Sequence, residues 1–455
     1  MTNTTSELIA RYTADSRHPP RDVIDKAKLH IADTLGCIYA GSSSATVRIL
    51  AEANHWSGTF EDAPVPGWGY AKTFDAAAEL LGTAGHELDF DDTSSTMPGH
   101  PSAPIVAALL VTASDLSANQ NRSLGGLDFI LAYIKGMEVT CKVGKSFRLD
   151  HKGQGWHTIS TVGLLGAATA CAALRGLDAA GCERALAIAC SHACGILNNS
   201  GTMVKPLHSG LAARGGYMSA ALAEKQFTAG WDILNGQYGL ANAFTGGRYD
   251  DVEISEIDGH DPVLPPLAGE HFELINPGLK VKLFPCCQVA HTCIDAMIKI
   301  RNLPDFDIRE VAKIICYVST EMRMRDLQCP EPQTPSEARF SMNFTVAVAM
   351  LHGSLKMEHF NLDMLSSEKL RDCMRLVEMR LPDKMTGGTV DVEVIFKDGR
   401  RVTQRGIDGP PSWANVETKF NDCMMLASKP TDQEDLLSVL KQLETQKDVS
   451  AILLR

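Results

Sequence analysis

Apolar positions recur at three- and four-residue spacing along most of the chain, the mark of helices that bury one face. Residues 23–40 show this most clearly. Val23, Ala27, Leu29, Ile31, Leu35 and Ile38 form the stripe, and Asp22 stands near its N-terminus. The same pattern predicts helices over 6–12, 45–56, 76–85, 105–114, 125–143, 160–174, 178–191 and 212–224. Residues 64–70, with two Pro and two Gly, read as a loop, and 226–244 as an irregular loop followed by a short helix.

Near residue 260 the pattern changes. Residues 258–267 are rich in Pro and Gly and read as a linker. Period-two and β-branched runs follow at 280–284, 311–318 and 389–396, the last leading through Lys397-Asp398-Gly399 into 401–404, a hairpin signal. Helical stretches at 291–301, 344–352 and 368–377 lie between them, and 413–427 and 433–443 return to helix. The expected class is mainly α. A large all-helical domain over 1–265 is followed by a smaller α+β domain over 266–404, and C-terminal helices over 405–455 return to the first domain.

One polar stretch interrupts the helical half. Residues 86–104 read HELDFDDTSSTMPGHPSAP, with His86, Glu87, Asp89, Asp91 and Asp92 crowded ahead of a Gly-His-Pro-Ser turn. Apolar helical runs flank it on both sides, and a carboxylate buried among them is costly unless paired or hydrogen-bonded. The stretch is therefore a candidate site, with an Asx-rich surface turn that caps the next helix as the alternative. Calcium binding of the EF-hand type is excluded, because neither the required Gly nor the Glu is in place. A second polar cluster, GTMVKPLHSGLAARGG at 201–216, brings Lys205, His208 and Arg214 together. The Gly-rich segment GQGWHT at 153–158 delivers His157 to a helix N-terminus, a favourable place for a bound carboxylate.

Composition narrows the function. The 455 residues are 44% hydrophobic and 22% charged, ordinary for a soluble globular chain, and the net charge of −12 argues against nucleic acid as partner. No apolar run reads as a membrane span, and 162–174 and 186–197 read as buried helices. Thirteen cysteines without a C-x-x-C pair, and no leader-like segment at residues 1–11, predict reduced thiols, a cytoplasmic location and no zinc knuckle.

Five motifs occur in order: HELDFDDT…HPS, GWHT with a Gly/Ala helix, GTMVKPLHSGLAARGG, LKVKLFPCC…H and EARFSMNF. Together they resemble the MmgE/PrpD family, which includes 2-methylcitrate dehydratases, cis-aconitate decarboxylases and iminodisuccinate epimerases. The resemblance runs from Val23 to about Phe420. It implies a large helical domain with an α+β lid, a homodimer, and chemistry without metal or organic cofactor. That chemistry is proton traffic at a carbon beside carboxylates, through a carbanion-like or enolate-like species.

Carried onto this chain, the family pocket falls on Asp89, Thr93, His100, His157, Lys205 and Lys282. His157 and His100 are the acid/base candidates, since imidazole titrates near working pH. Lys205 and Lys282 would hold substrate carboxylates, Asp89 would orient a His or Lys or accept a proton, and Thr93 would hydrogen-bond the ligand. His208 and Arg214 are supporting candidates, and Asp91 and Asp92 would cap or pair with Arg214. Phe344 and Cys287 stand where cis-aconitate decarboxylases of the family place Tyr and His. Ala103-Pro104 stand where the 2-methylcitrate dehydratases place Asp-Asn. The expected activity is a cofactor-independent lyase on a small di- or tricarboxylate, first a citrate-type dehydratase. The alternatives are a cis-aconitate-type decarboxylase, an epimerase, or a catalytically inactive polycarboxylate binder.

Overall fold

The computed structural model describes residues 4–54, 63–65, 69–71, 73–250, 272–327, 329–382, 390–408, 411–427 and 433–449. The chain forms two compact units. The first comprises Met1–Glu87, Asp91–Val281 and Pro411–Arg455; the second comprises Leu88–Phe90 and Lys282–Pro410. The expected boundary at 265/266 and the linker at 258–267 lie outside the described residues. The division falls instead at Val281/Lys282, the return at Pro411 rather than 405, and residues 88–90 pass to the second unit.

In the first unit the helices are α1 (Thr5–Ala14), α2 (Arg21–Gly41), α3 (Ala45–Ala53), α4 (Phe74–Glu87), α5 (Ser102–Gln120), α6 (Gly126–Gly153), α7 (Thr158–Arg175), α8 (Ala179–His192), α9 (Val204–Glu224) and α10 (Leu240–Thr245). Their starts follow local chemistry. Thr4 and Glu7 close a capping box on α1, and Ser44 and Asp178 accept N–H bonds at the heads of α3 and α8. Helix α7 is buried along nearly its whole length and packs against α5, α6, α8 and α9. Helices α5 and α7 do reach the length and hydropathy of a membrane span, contrary to the sequence reading. They are 78% and 94% buried within the fold, as core helices are.

Two glycines set one crossing. A Cβ on Gly82 of α4 would sit 2.7 Å from Ser209 O, and one on Gly210 of α9 would sit 2.3 Å from Glu79 O. Only side-chain-free positions allow these backbones to approach so closely. The sequence reading began this last helix at residue 212; its actual start at Val204 puts Lys205 and His208 on its first turns. Residues 64–70, read as a loop, include strands β1 (Ala63–Val65) and β2 (Gly69–Ala71), paired antiparallel.

The helices Trp413–Met424 and Gln433–Lys441 pack on α2. Lys419 of the former donates to Asp33 of α2 at 2.7 Å, and both side chains are buried. Elsewhere in this unit Glu138 of α6 is fully buried and accepts the Glu273 N–H at 2.9 and 3.1 Å. Thr96 donates to Glu273 Oε2, and Thr93 pairs backbone to backbone with Lys280, so residues 272–281 are fastened along the polar turn.

Burial, opposed by Lys142, pushes the Glu138 carboxyl up to about 8. Its folded value exceeds the unfolded one, so its contribution is complete below about pH 4.5 and is lost as pH rises through about 8. In Glu138→Gln that loss disappears. The stability of the variant relative to wild type is expected to rise by a few kcal/mol between about pH 5 and pH 9. Calorimetric Tm values at the two pH values check the sign.

The second unit is α+β. Its sheet has the order β4-β3-β5-β6, with β3 (Val311–Tyr317) parallel to β4 (Val377–Arg380) and antiparallel to β5 (Val392–Phe396), which pairs with β6 (Arg401–Gln404). The expected hairpin is present, with Gly399 at φ +87 in its turn. Helices His291–Arg301 and Met342–His352 pack together beside this sheet. The expected strand at 280–284 does not form. Only Lys280 pairs, Pro285 follows, and proline cannot donate to a ladder. Strand β4 was hidden in the sequence because the apolar run of the helix Glu368–Met374 flows straight into it.

Candidate active site

From Asp91 onward the polar stretch belongs to the first unit and forms a largely buried turn leading into α5. Ser94 and Gly99 pair across it, and Thr158, the first residue of α7, donates to Pro98 O at 3.0 Å. The surface-turn alternative is thereby set aside, since Asp91 and Asp92 are fully buried. Each has an imidazole. His86, at the end of α4, donates from Nδ1 to Asp91 at 2.9 Å, and His100 Nδ1 lies 3.3 Å from the same carboxylate. His30 of α2 meets Asp92 at 2.9 Å, and Ser102 Oγ bridges Asp92 at 2.5 Å to the Tyr133 hydroxyl at 2.7 Å.

The α4–α9 crossing then brings Lys205 to His86. Its ammonium donates to His86 Nε2 at 2.7 Å, completing a chain from the Asp91 carboxylate through imidazole to ammonium. Lys205 and His208 lie three residues apart on α9 and share a face, as helical geometry requires. His208 Nδ1 in turn lies 2.9 Å from His157 Nδ1. His157 is the N-cap residue of α7, yet its side chain makes no capping bond and is directed to His208 instead. The backbone N–H of His157 donates to Gly195 O at 3.0 Å. Gly195 has φ +111, and a Cβ there would sit 2.0 Å from Ser160 Oγ, so glycine is required. The His86 ring centroid lies 4.5 Å from that of His100 and 6.0 Å from that of His157.

The electrostatics favour an anion. Burial, outweighing Asp91 and helped by Lys205, lowers His86 to about 3. Burial and then Lys205 hold His157 well below the usual imidazole range and lower His208. Burial alone would raise Asp91, but His86 and His100 together hold it well below the carboxylate range. At neutral pH His86, His157 and His208 are thus held as neutral imidazoles and Asp91 as a carboxylate.

The sequence-predicted residues divide between the two units. His100, His157, Lys205 and His208 converge in the first, where Thr93 is fixed by its backbone pairing with Lys280. Arg214 does not join them. Nine residues separate it from Lys205, which is half a turn round the helix. It pairs with Asp75 and Glu79, so the expected pairing with Asp91 or Asp92 does not occur. The other four candidates are in the second unit. Lys282 is wholly buried and donates to both Asp89 O and Asp89 Oδ2 at 2.7 Å, with Asp89 in the left-handed region at φ 49. Phe344 is wholly buried in the core of that unit, with its ring 5.4 Å from that of Phe360. Burial, then the Asp89 carboxylate, push the Cys287 thiol up to about 11, which leaves it protonated.

His86 and Asp91 are central to this geometry; the sequence placed both in the candidate stretch but gave neither an acid/base role. The available signal was their crowding in the polar stretch, where His86 closes an apolar helical run.

Comparison with known proteins gives a consistent picture. Residues 6–253 match the MmgE/PrpD N-terminal domain and residues 284–445 the MmgE/PrpD C-terminal domain. The chain is 28% identical to the human cis-aconitate decarboxylase, over 94% of this chain and 89% of that protein. It is 27% identical to the cis-aconitate decarboxylase-like protein oryM of Aspergillus oryzae (95% and 93%) and 26% identical to the cis-aconitate decarboxylase of Aspergillus terreus (95% and 91%). With both domain models matched across nearly its whole length, the chain belongs to the MmgE/PrpD family.

Proposed function

We propose that this protein is a cofactor-independent carboxy-lyase acting on a small polycarboxylate of the cis-aconitate type. The citrate-type dehydratase favoured by the sequence becomes the second reading, because the relatives matched here are named for decarboxylation. The observation that carries the proposal is the Asp91–His86–Lys205 chain beside His157.

Lys205, whose position is set by its bond to His86, is the group that would meet a substrate carboxylate. In cis-aconitate the bond from the CH2 carbon to its carboxylate breaks and CO2 leaves. The electron pair forms the new terminal alkene, and the old alkene pair moves to the CH carbon, which becomes an enolate-like carbanion beside its own carboxylate. The Lys205 ammonium offsets that charge. His157 supplies the single proton that completes an itaconate-type product. A polyanion in the site raises the proton affinity of the imidazoles, reversing the effect of Lys205 in the empty cluster.

Incubation of the purified protein with cis-aconitate in D2O tests this. One CO2 released per turnover, with one deuterium in the new CH2 group, is the expected result. Release of water from citrate or 2-methylcitrate without CO2 would transfer the assignment to the dehydratase.

A further inference from the structure

His157 and His208 meet through identical atoms. Their Nδ1 nitrogens are 2.9 Å apart, a separation that one proton bridges and two would not tolerate. When His157 accepts at Nδ1 its remaining proton is on Nε2, and when it donates there Nε2 carries the lone pair. The position of one proton between the rings therefore decides whether His157 presents an acid or a base. The surroundings hold the rings in this register. Gly195 O takes the His157 N–H, and a Cβ on Gly195 would lie 3.4 Å from His208 Cδ2. The groups facing the pair are Lys205 on the helix of His208, His86 at the end of α4 and His100 from the polar turn.

We propose that His208 is the proton-relay partner of His157. The proposal rests on the lyase reading above. In the loaded pair three nitrogens carry protons: His157 Nε2, the shared site on His208 Nδ1, and His208 Nε2. The Nε2 proton of His157 passes to the substrate carbanion, and the shared proton crosses to His157 Nδ1. Both rings end neutral with two protons between them, and no imidazolate forms. After the product leaves, one proton from solvent restores the third. A lone His157 would have to give up its proton either from its own imidazolium or as an imidazolate; with the relay the extra proton is carried by His208, and His157 stays neutral throughout.

The test compares wild type with His208→Asn, whose amide occupies the Nδ1 position and can hold His157 but cannot pass a proton. With cis-aconitate, kcat is expected to fall about 100-fold, with KM changed by less than a factor of a few. On binding the unreactive tricarballylate, wild type is expected to take up about one proton per site, read from binding enthalpies in two buffers, and the variant none. A variant within twofold of wild type in kcat, with the same proton uptake, overturns the relay. Nitrogen-15 spectra of histidine-labelled wild type without ligand provide a readout independent of the substrate. One protonated and one lone-pair Nδ1 in the pair support the relay, and two lone-pair Nδ1 nitrogens overturn it even if cis-aconitate is turned over. An inert wild type whose spectra show the shared proton overturns the lyase reading alone.

Discussion

Turnover by the His86→Gln variant is expected to fall by about 10²–10⁴-fold while the fold is retained. Glutamine reaches roughly as far as Nε2 and can still accept from Lys205, so the α4–α9 contact persists. It cannot accept at that point and donate to Asp91 through one ring. In wild type the Asp91 carboxylate fixes the proton on His86 Nδ1 and so keeps Nε2 as the acceptor that aims the Lys205 ammonium. Without this alignment the ammonium loses its fixed position and Asp91 loses a donor in a fully buried place. The loss should fall mainly on kcat, because the charge that must be stabilised develops in the transition state. Steady-state kinetics of His86→Gln and Asp91→Asn, with circular dichroism on both, check this. Activity within tenfold of wild type for both would remove the chain from the mechanism.

The second large effect is on stability. Lys419→Met is expected to cost about 3–5 kcal/mol, since it leaves Asp33 as an unpaired buried carboxylate. Asp33→Asn combined with Lys419→Met should cost less than Lys419→Met alone, because the stranded charge is gone. In wild type burial, opposed by Lys419, raises Asp33 to about 6. Removing Lys419 raises it further, so the variant's deficit should shrink at pH 5, where the carboxyl takes up a proton, and widen at pH 8. Urea titrations at the two pH values measure both trends. A deficit independent of pH would show that the loss is one of packing.

Much of the helical unit was legible because its helices bury one face and carry ordinary caps: the stripe at 23–40 became α2 with its ends moved by only a residue or two. The hairpin of β5 and β6 was legible for the same local reason, a Gly at a left-handed turn position between β-rich runs. What escaped the sequence was set by tertiary contact. Helix α9 starts at Val204, inside a Gly- and Pro-containing segment that reads as loop, because α4 packs against it at Gly82 and Gly210. Arg214 was grouped with Lys205 by proximity in sequence, although nine residues place it on the opposite face. His86 was hidden for the converse reason: its partners Asp91 and Lys205 come from a turn and from another helix, and spacing along one element could not pair them.

The Asp33–Lys419 pair also bears on biosynthesis. Lys419 lies far beyond Asp33 in the chain, so a ribosome releases α2 with its carboxylate well before the ammonium that pairs with it. Until the Trp413–Met424 helix emerges, the early helices can collapse but cannot close around Asp33. Completion of the large unit therefore waits for that helix to be made. A chain stopped short of that helix should be retained by chaperones as an unfinished domain, even though every residue of the histidine cluster has already been made.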